Sequence, residues 1–198
     1  MTSETDIVNL GIYKIKGTPI DTIGEDGIEG EPAEVIYPII RDAVLADHPW
    51  NFAMTRAELA ASATAPDFEF SYKYPLPADC LRVWDVYNAS TNWRVEGRFL
   101  LTDASECSIV YIRQVTETGY FSPLFVLALG TRIGSELAIP VAGDKELKNA
   151  LFQEYLMLIR RAKTADGQEG TVDSISATMF TDARGGSNPS IITFSLPS

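Results

Sequence analysis

The chain has 198 residues, 27 acidic and 16 basic, which gives a formal net charge of −11 at pH 7. Its 45% hydrophobic and 10% aromatic fractions suffice for a packed core and exclude a globally disordered protein. No apolar run approaches the roughly 18 residues of a membrane span, and the first residues lack the features of a signal peptide. We therefore expect a protein that is soluble and intracellular when made. Because its basic residues are dispersed, sequence-specific DNA binding is disfavoured.

Two helices are predicted in the first fifty residues. Apolar residues at helical spacing in 5–16 indicate the first helix, and the Gly- and acid-rich stretch 17–32 indicates a loop. A second helix is expected to begin near Pro32, a favoured first-turn residue, and to be ordered only from about Tyr37, because Pro38 weakens an early turn. It is expected to end near Asp47, ahead of a proline.

A change to alternating and β-branched residues predicts an antiparallel sheet or small sandwich in 54–118. The segments that carry this pattern are 68–74, 81–87, 93–97 with a tight turn at Glu96-Gly97, and 108–115.

Two more helices follow the predicted strands. Ser122 and the proline after it predict the start of a helix over 122–140. A strongly amphipathic stretch over 143–163, with Asp144 as its cap, predicts the last helix.

The final stretch, 164–198, is dominated by small polar residues and glycine, with no sustained period. Its scattered apolar side chains indicate an extended C-terminal arm whose anchors gain burial on a partner, against the alternative of a tail that binds nothing. The arm residues that we expect to bind a partner are Met179, Phe180, Arg184, Ile191, Ile192 and Phe194.

The residues that carry chemistry are few. His48 is the only histidine and Cys80 and Cys107 the only cysteines, too few for a zinc site. His48 lies at a helix exit, where satisfying the last helical carbonyls is a more common role than catalysis. We expect no catalytic residue, no metal and no cofactor.

Carboxylates leave one enzymatic alternative open. A pair of them could hydrolyse glycosides if one were protonated and the other ionised. The candidates in the predicted β region are Glu58, Glu69, Asp79, Asp85 and Glu96. With 27 acidic residues a chance pair is nearly assured, so this signal is weak.

The order of the segments resembles a known family. "HPWNFA", "LPADCLRV" and the elements around them, over about residues 6–163, resemble the head–tail adaptors of tailed bacteriophages, the tail tubular protein A-like group. The resemblance implies an α+β fold in which a helical bundle (1–53 and 119–163) carries an inserted antiparallel β domain (54–118), plus the extended C-terminal arm (164–198). It implies that His48, Pro49, Trp50 and Phe52 form the hinge between the bundle and the β domain.

The resemblance also implies a structural role in the virion. Such adaptors form a homo-oligomeric ring, typically twelve-fold, beneath the portal protein, and DNA passes through its lumen without specific binding. The bundle and the arm would engage the portal and neighbouring subunits, and the β domain would face a downstream tail or nozzle protein. The alternatives are a virion-associated enzyme that degrades peptidoglycan and a soluble binding module with no phage role.

Overall fold

The computed structural model describes residues 2–87 and 92–169, and within them the fold is a mixed α+β arrangement, as the sequence predicts. Four helices and six strands occur there in the order α1, α2, β1 to β6, α3, α4. The helices are α1 (Glu4–Lys14), α2 (Gly30–Ala46), α3 (Pro123–Leu137) and α4 (Lys145–Gln168). The strands are β1 (Met54–Leu59), β2 (Tyr72–Pro75), β3 (Cys80–Tyr87), β4 (Trp93–Glu96), β5 (Phe99–Thr102) and β6 (Cys107–Arg113).

Helix α3 lies at the centre of the helical part, in contact with α1, α2 and α4. The crossing of α1 and α3 is unusually close because Gly11 faces Gly130 and Gly134. A Cβ built on Gly11 would lie 2.7 Å from the Gly130 carbonyl oxygen. Buried aliphatic side chains of α1, α3 and α4 fill the space around this crossing and form one hydrophobic core.

Polar caps fix where helices α3 and α4 begin. The Ser122 hydroxyl accepts from the main-chain N–H of Phe125 at the start of α3, as predicted. Asp144 likewise accepts from Leu147 at the start of α4, as predicted. Each cap satisfies a main-chain donor that the first turn leaves without a partner.

The second helix starts two residues before Pro32, close to its predicted beginning, but the expectation that it is ordered only from about Tyr37 is wrong. Helix α2 begins at Gly30 and runs through Pro38 without interruption. A proline removes the hydrogen bond to the carbonyl four residues earlier, which here belongs to the exposed residue Glu34. Water can satisfy that carbonyl, so the helix tolerates the proline.

Six strands form two three-stranded antiparallel sheets, in the orders β1-β6-β3 and β2-β5-β4. Their side chains share a second hydrophobic cluster, which includes Tyr74, Leu100 and Ile109. Cys80 and Cys107 are buried in this cluster as free thiols. The predicted tight turn is present, with Gly97 at a φ of 58°, between strands β4 and β5.

Two segments differ from the predicted elements. The predicted strand 68–74 overlaps the observed strand β2 (Tyr72–Pro75) only in its last three residues. Phe68 is 81% exposed, so the alternation of aromatic residues that begins there does not mark a buried face. Helix α4 continues to Gln168, five residues beyond the predicted end at 163. Asp166, one turn after the buried Ala162, is itself buried and accepts a hydrogen bond from Asn51. This contact stabilises the additional helical residues.

Candidate functional site

The predicted hinge residues lie in the connection from α2 to β1, residues 47–53, which we call the joint. Trp50 is completely buried there, and its indole N–H donates to the Val44 carbonyl at 3.1 Å. Its ring packs on Phe52 and on Phe125 of α3, with centroid distances of 5.9 and 5.0 Å. Trp50 thus satisfies a carbonyl at the end of α2 and fixes the joint to the helical core.

Asp166 of α4 holds the joint from the other side. Its carboxylate accepts from the main-chain N–H of Asn51 at 3.1 and 3.2 Å. The Asn51 side-chain amide donates back to the Asp166 carbonyl at 2.6 Å. Lys163 adds a salt bridge to Asp47 at 2.7 Å. The end of α4 is therefore attached to the joint by charge-assisted hydrogen bonds, which are stronger than neutral ones.

His48 takes part in the same contact. Its Nε2 lies 3.4 Å from an Asp166 carboxylate oxygen, and its ring meets Trp50 edge-on at 4.7 Å. Burial lowers the pKa of His48 from its ordinary value, against the opposing pull of the Asp166 carboxylate. The expected role of His48 in satisfying the last carbonyls of α2 is filled instead by Trp50 at the Val44 carbonyl.

The thiols lie away from this histidine. Cys80 and Cys107 belong to the cluster between the sheets, and burial raises the pKa of both. Raising that pKa reduces the fraction of thiolate, which is the nucleophilic form. In the described part of the chain, no three His, Cys, Asp or Glu side chains come together where they could hold a metal ion.

Of the five candidate carboxylates in the predicted β region, two come together. Glu69 and Glu96 both contact the Arg94 guanidinium, at 3.1 and 3.6 Å. They line a cleft of about 320 Å³ on the outer side of the second sheet, together with Phe70 and Lys73. Glu69 has a φ of 71°, a left-handed conformation that non-glycine residues seldom adopt.

The remaining candidates stand apart from that cleft. Asp79 accepts from the Tyr111 hydroxyl at 3.1 Å, Asp85 accepts from the main-chain N–H of Val86, and Glu58 lies on β1.

In the described part of the chain, α2 and β4 each carry a pair of neighbouring exposed apolar side chains. On the outer side of α2, Val35 and Ile39 are each 63% exposed, one helical turn apart. On strand β4, Trp93 and Val95 are 41% and 40% exposed. Exposed apolar groups gathered in this way mark interaction sites.

The β4 surface continues a buried face. Trp93 lies opposite Thr102 and Val95 opposite Leu100, which is fully buried. Strand β2 brings Tyr72 to the other side of Thr102. Trp93 and Val95 therefore lie on the same side of the β2-β5-β4 sheet as the buried cluster, and they continue that side as an exposed surface.

The residues predicted to bind a partner through the arm lie outside the described residues. They are Met179, Phe180, Arg184, Ile191, Ile192 and Phe194. The sequence analysis does not identify Asp166 as a contact of the joint, because it assigns residues 164–168 to the arm and not to helix α4. The spacing of Tyr155, Leu158, Ala162 and Asp166 is the signal that could have found it.

Comparisons with known proteins add no family, because no protein-family model and no curated protein matches this chain. Among the described helices, none combines the length and the apolarity that crossing a membrane requires.

Proposed function

We propose that this chain is a structural virion protein, a head–tail adaptor that forms a ring beneath the portal of a tailed phage. In that role it links the portal to tail components and lines the channel through which DNA is ejected. The function is non-enzymatic and uses no cofactor. The order of its segments, which resembles that of the adaptor family, is the starting point of this proposal.

The arrangement of the helices is consistent with the proposed architecture. Helix α1 precedes the strands in the sequence and α3 and α4 follow them, yet α3 contacts both α1 and α4. We interpret this as a helical bundle into which the β region is inserted, with the joint as the connection between them. The hydrogen bonds between Asn51 and Asp166 would then set the orientation of the β region relative to the bundle.

The observation that carries the proposal is the pair of uncovered apolar surfaces on different elements. A ring subunit needs two different faces, each of which meets the other face on the next subunit. The Val35–Ile39 side of α2 and the Trp93–Val95 side of β4 could supply parts of such faces. Their separation on two elements favours a subunit with several neighbours over a protein that works alone.

The charge of the chain agrees with a DNA channel. An excess of 11 negative charges repels the phosphate backbone, so DNA would pass without specific contacts.

Electron microscopy of the protein mixed with its portal protein tests the proposal. We expect rings attached to one end of the portal. The decisive variant ends after Glu169, which keeps all of α4 and the Asp166 contacts. We expect it to stay folded but to fail to attach. Normal attachment of this variant would contradict a role of the arm, and absence of any ring with the intact chain would contradict the adaptor function.

One observation favours a second function, a virion-associated enzyme that degrades peptidoglycan. Glu69 and Glu96 line one cleft together with the aromatic side chain of Phe70, and sugar hydrolysis uses two carboxylates. The test is clearing of purified peptidoglycan by the wild type and by the Glu69→Gln and Glu96→Gln variants, with Glu58→Gln as the control. Clearing that both cleft variants lose and the control keeps would establish the enzyme.

A further inference from the structure

Strand β4 is the most open of the four sheet edges in the described residues. At β3 the pairing contains two register shifts, which disrupt an edge for further pairing. At β2 the Lys73 carbonyl already accepts from the main-chain N–H of Ser62 at 2.7 Å. Strand β1 carries no large exposed hydrophobic side chain, whereas β4 carries Trp93 and Val95.

The two faces of β4 differ in character. Trp93 and Val95 lie on the side of Leu100 and the buried cluster, and Arg94 and Glu96 lie on the other side. In an antiparallel ladder, alternate residues direct their main-chain N–H and C=O groups to one neighbouring strand, so an edge strand leaves half of these groups without a strand partner. A segment that fits this edge must alternate apolar and polar residues.

Within "IITFSL", residues 191–196, that alternation runs from Ile192 to Leu196. Ile192, Phe194 and Leu196 would share one face, and Thr193 and Ser195 would share the other. If this segment were added to β4, its apolar side chains would extend the row formed by Trp93 and Val95. The hydroxyl groups of Thr193 and Ser195 would then lie on the side of Arg94 and Glu96. We propose that residues 191–196 of the same chain bind to the open edge of β4 as an additional strand.

The reach of the chain permits this contact. Helix α4 ends beside the joint, because Asp166 is bonded to Asn51, and β1 begins three residues later at Met54. The 21 residues from 170 to 190 span up to roughly 70 Å when extended and about 25 Å as a flexible chain. A tether of this length gives the segment a high effective concentration at its own sheet, which favours binding within one molecule.

Such binding would have a defined consequence. An open edge with exposed aromatic side chains is a site for unwanted pairing between chains. A segment of the same molecule bound there would keep the free protein from associating until a partner displaces the segment. The inference concerns the isolated chain and does not rest on the proposed ring.

The test uses the full chain with a benzophenone amino acid in place of Phe194. After irradiation in dilute solution, we expect a crosslink within one chain that maps to residues 92–98. The crosslink should be lost when Val95→Lys is added and kept when Ile39→Lys is added, since Ile39 is equally apolar and 63% exposed but lies on α2. Crosslinks between two chains, crosslinks to another element, or no crosslink would overturn the proposal.

A second measurement leaves β4 itself unchanged. We expect hydrogen exchange of the β4 amides to be faster in the Ile192→Ser/Phe194→Ser variant than in the wild type, with exchange in α3 the same in both. Equal exchange of β4 in the two proteins would also overturn the proposal. Neither result depends on a portal, so failure here is distinct from failure of the adaptor function.

Discussion

The crossing of α1 and α3 predicts a strong response to one added methyl group. In Gly11→Ala, the new Cβ would lie 2.7 Å from the Gly130 carbonyl oxygen and 2.7 Å from the Gly134 nitrogen. Both atoms belong to the backbone of α3, so no side-chain rotation relieves the clash. The two helices must therefore move apart along a contact that buries Ile7 and Ile12.

Two effects of opposite sign set the size of the response. Alanine is favoured over glycine inside a helix by about 1 kcal/mol. Overpacking typically costs about 1–3 kcal/mol and more where the backbone has to shift. Since only backbone can move here, we expect the free energy of unfolding to fall by about 2 kcal/mol net, which for a chain of this size lowers Tm by roughly 4–8 °C.

Urea unfolding followed by circular dichroism measures this change. The matched control is Gly167→Ala in α4, where a Cβ meets no atom within 4 Å. That variant should gain up to about 1 kcal/mol from helix propensity alone. A Gly11→Ala protein as stable as the wild type would show that α1 and α3 are not in backbone contact, which would refute the reasoning.

Three further predictions concern the joint and a helix cap. Asp166→Ala should lower the free energy of unfolding by about 1 kcal/mol, because the hydrogen bond from the Asn51 N–H to the Asp166 carboxylate is lost while water can reach the exposed Asn51; thermal melts beside the exposed control Glu169→Ala measure it. Burial lowers the pKa of His48 from its ordinary value of 6.5, with Asp166 opposing, so the folded chain binds this proton less readily than the unfolded chain. The contribution of His48 to stability should therefore be fully present above pH 6.5 and be lost as the pH falls below it. In His48→Gln, the urea midpoint should depend less on pH in this window. Ser122→Ala should lower the free energy of unfolding by about 1 kcal/mol, because the N-cap of α3 loses its hydrogen bond from the Phe125 N–H. The change should appear as a lower urea midpoint with an unchanged m-value.

Local chemistry explains which elements the sequence predicted well. Ser122 and Asp144 act on main-chain donors only three residues away, so their effect is readable from a short window. The turn at Gly97 is equally local, because its left-handed φ needs a residue without a Cβ. The expectation that α2 is ordered only from Tyr37 was wrong because the cost of Pro38 depends on whether water reaches the Glu34 carbonyl, and no window of sequence contains that information.

The joint was only half predictable for a related reason. Trp50 and Phe52 are large apolar side chains directly after a helix, which is a local signal for burial, and Trp50 is fully buried and Phe52 partly buried. Their anchor Asp166 is 115 residues from Asn51 in sequence. Its pairing with that residue follows from the way α4 packs on α3. A long-range carboxylate of this kind becomes visible only once the helices are assembled.

The position of Asp166 also changes how the arm must be tested. A cut after Lys163, at the predicted boundary, would remove Asp166 together with the arm and take away the acceptor of the Asn51 N–H. Loss of portal attachment in that variant would follow equally from a missing arm and from a loosened joint. A cut after Glu169 keeps the contact between α4 and the joint, so only the residues beyond the helix are removed. Comparing the two truncations therefore separates the proposed role of the arm in binding from the contact that Asp166 makes with the joint.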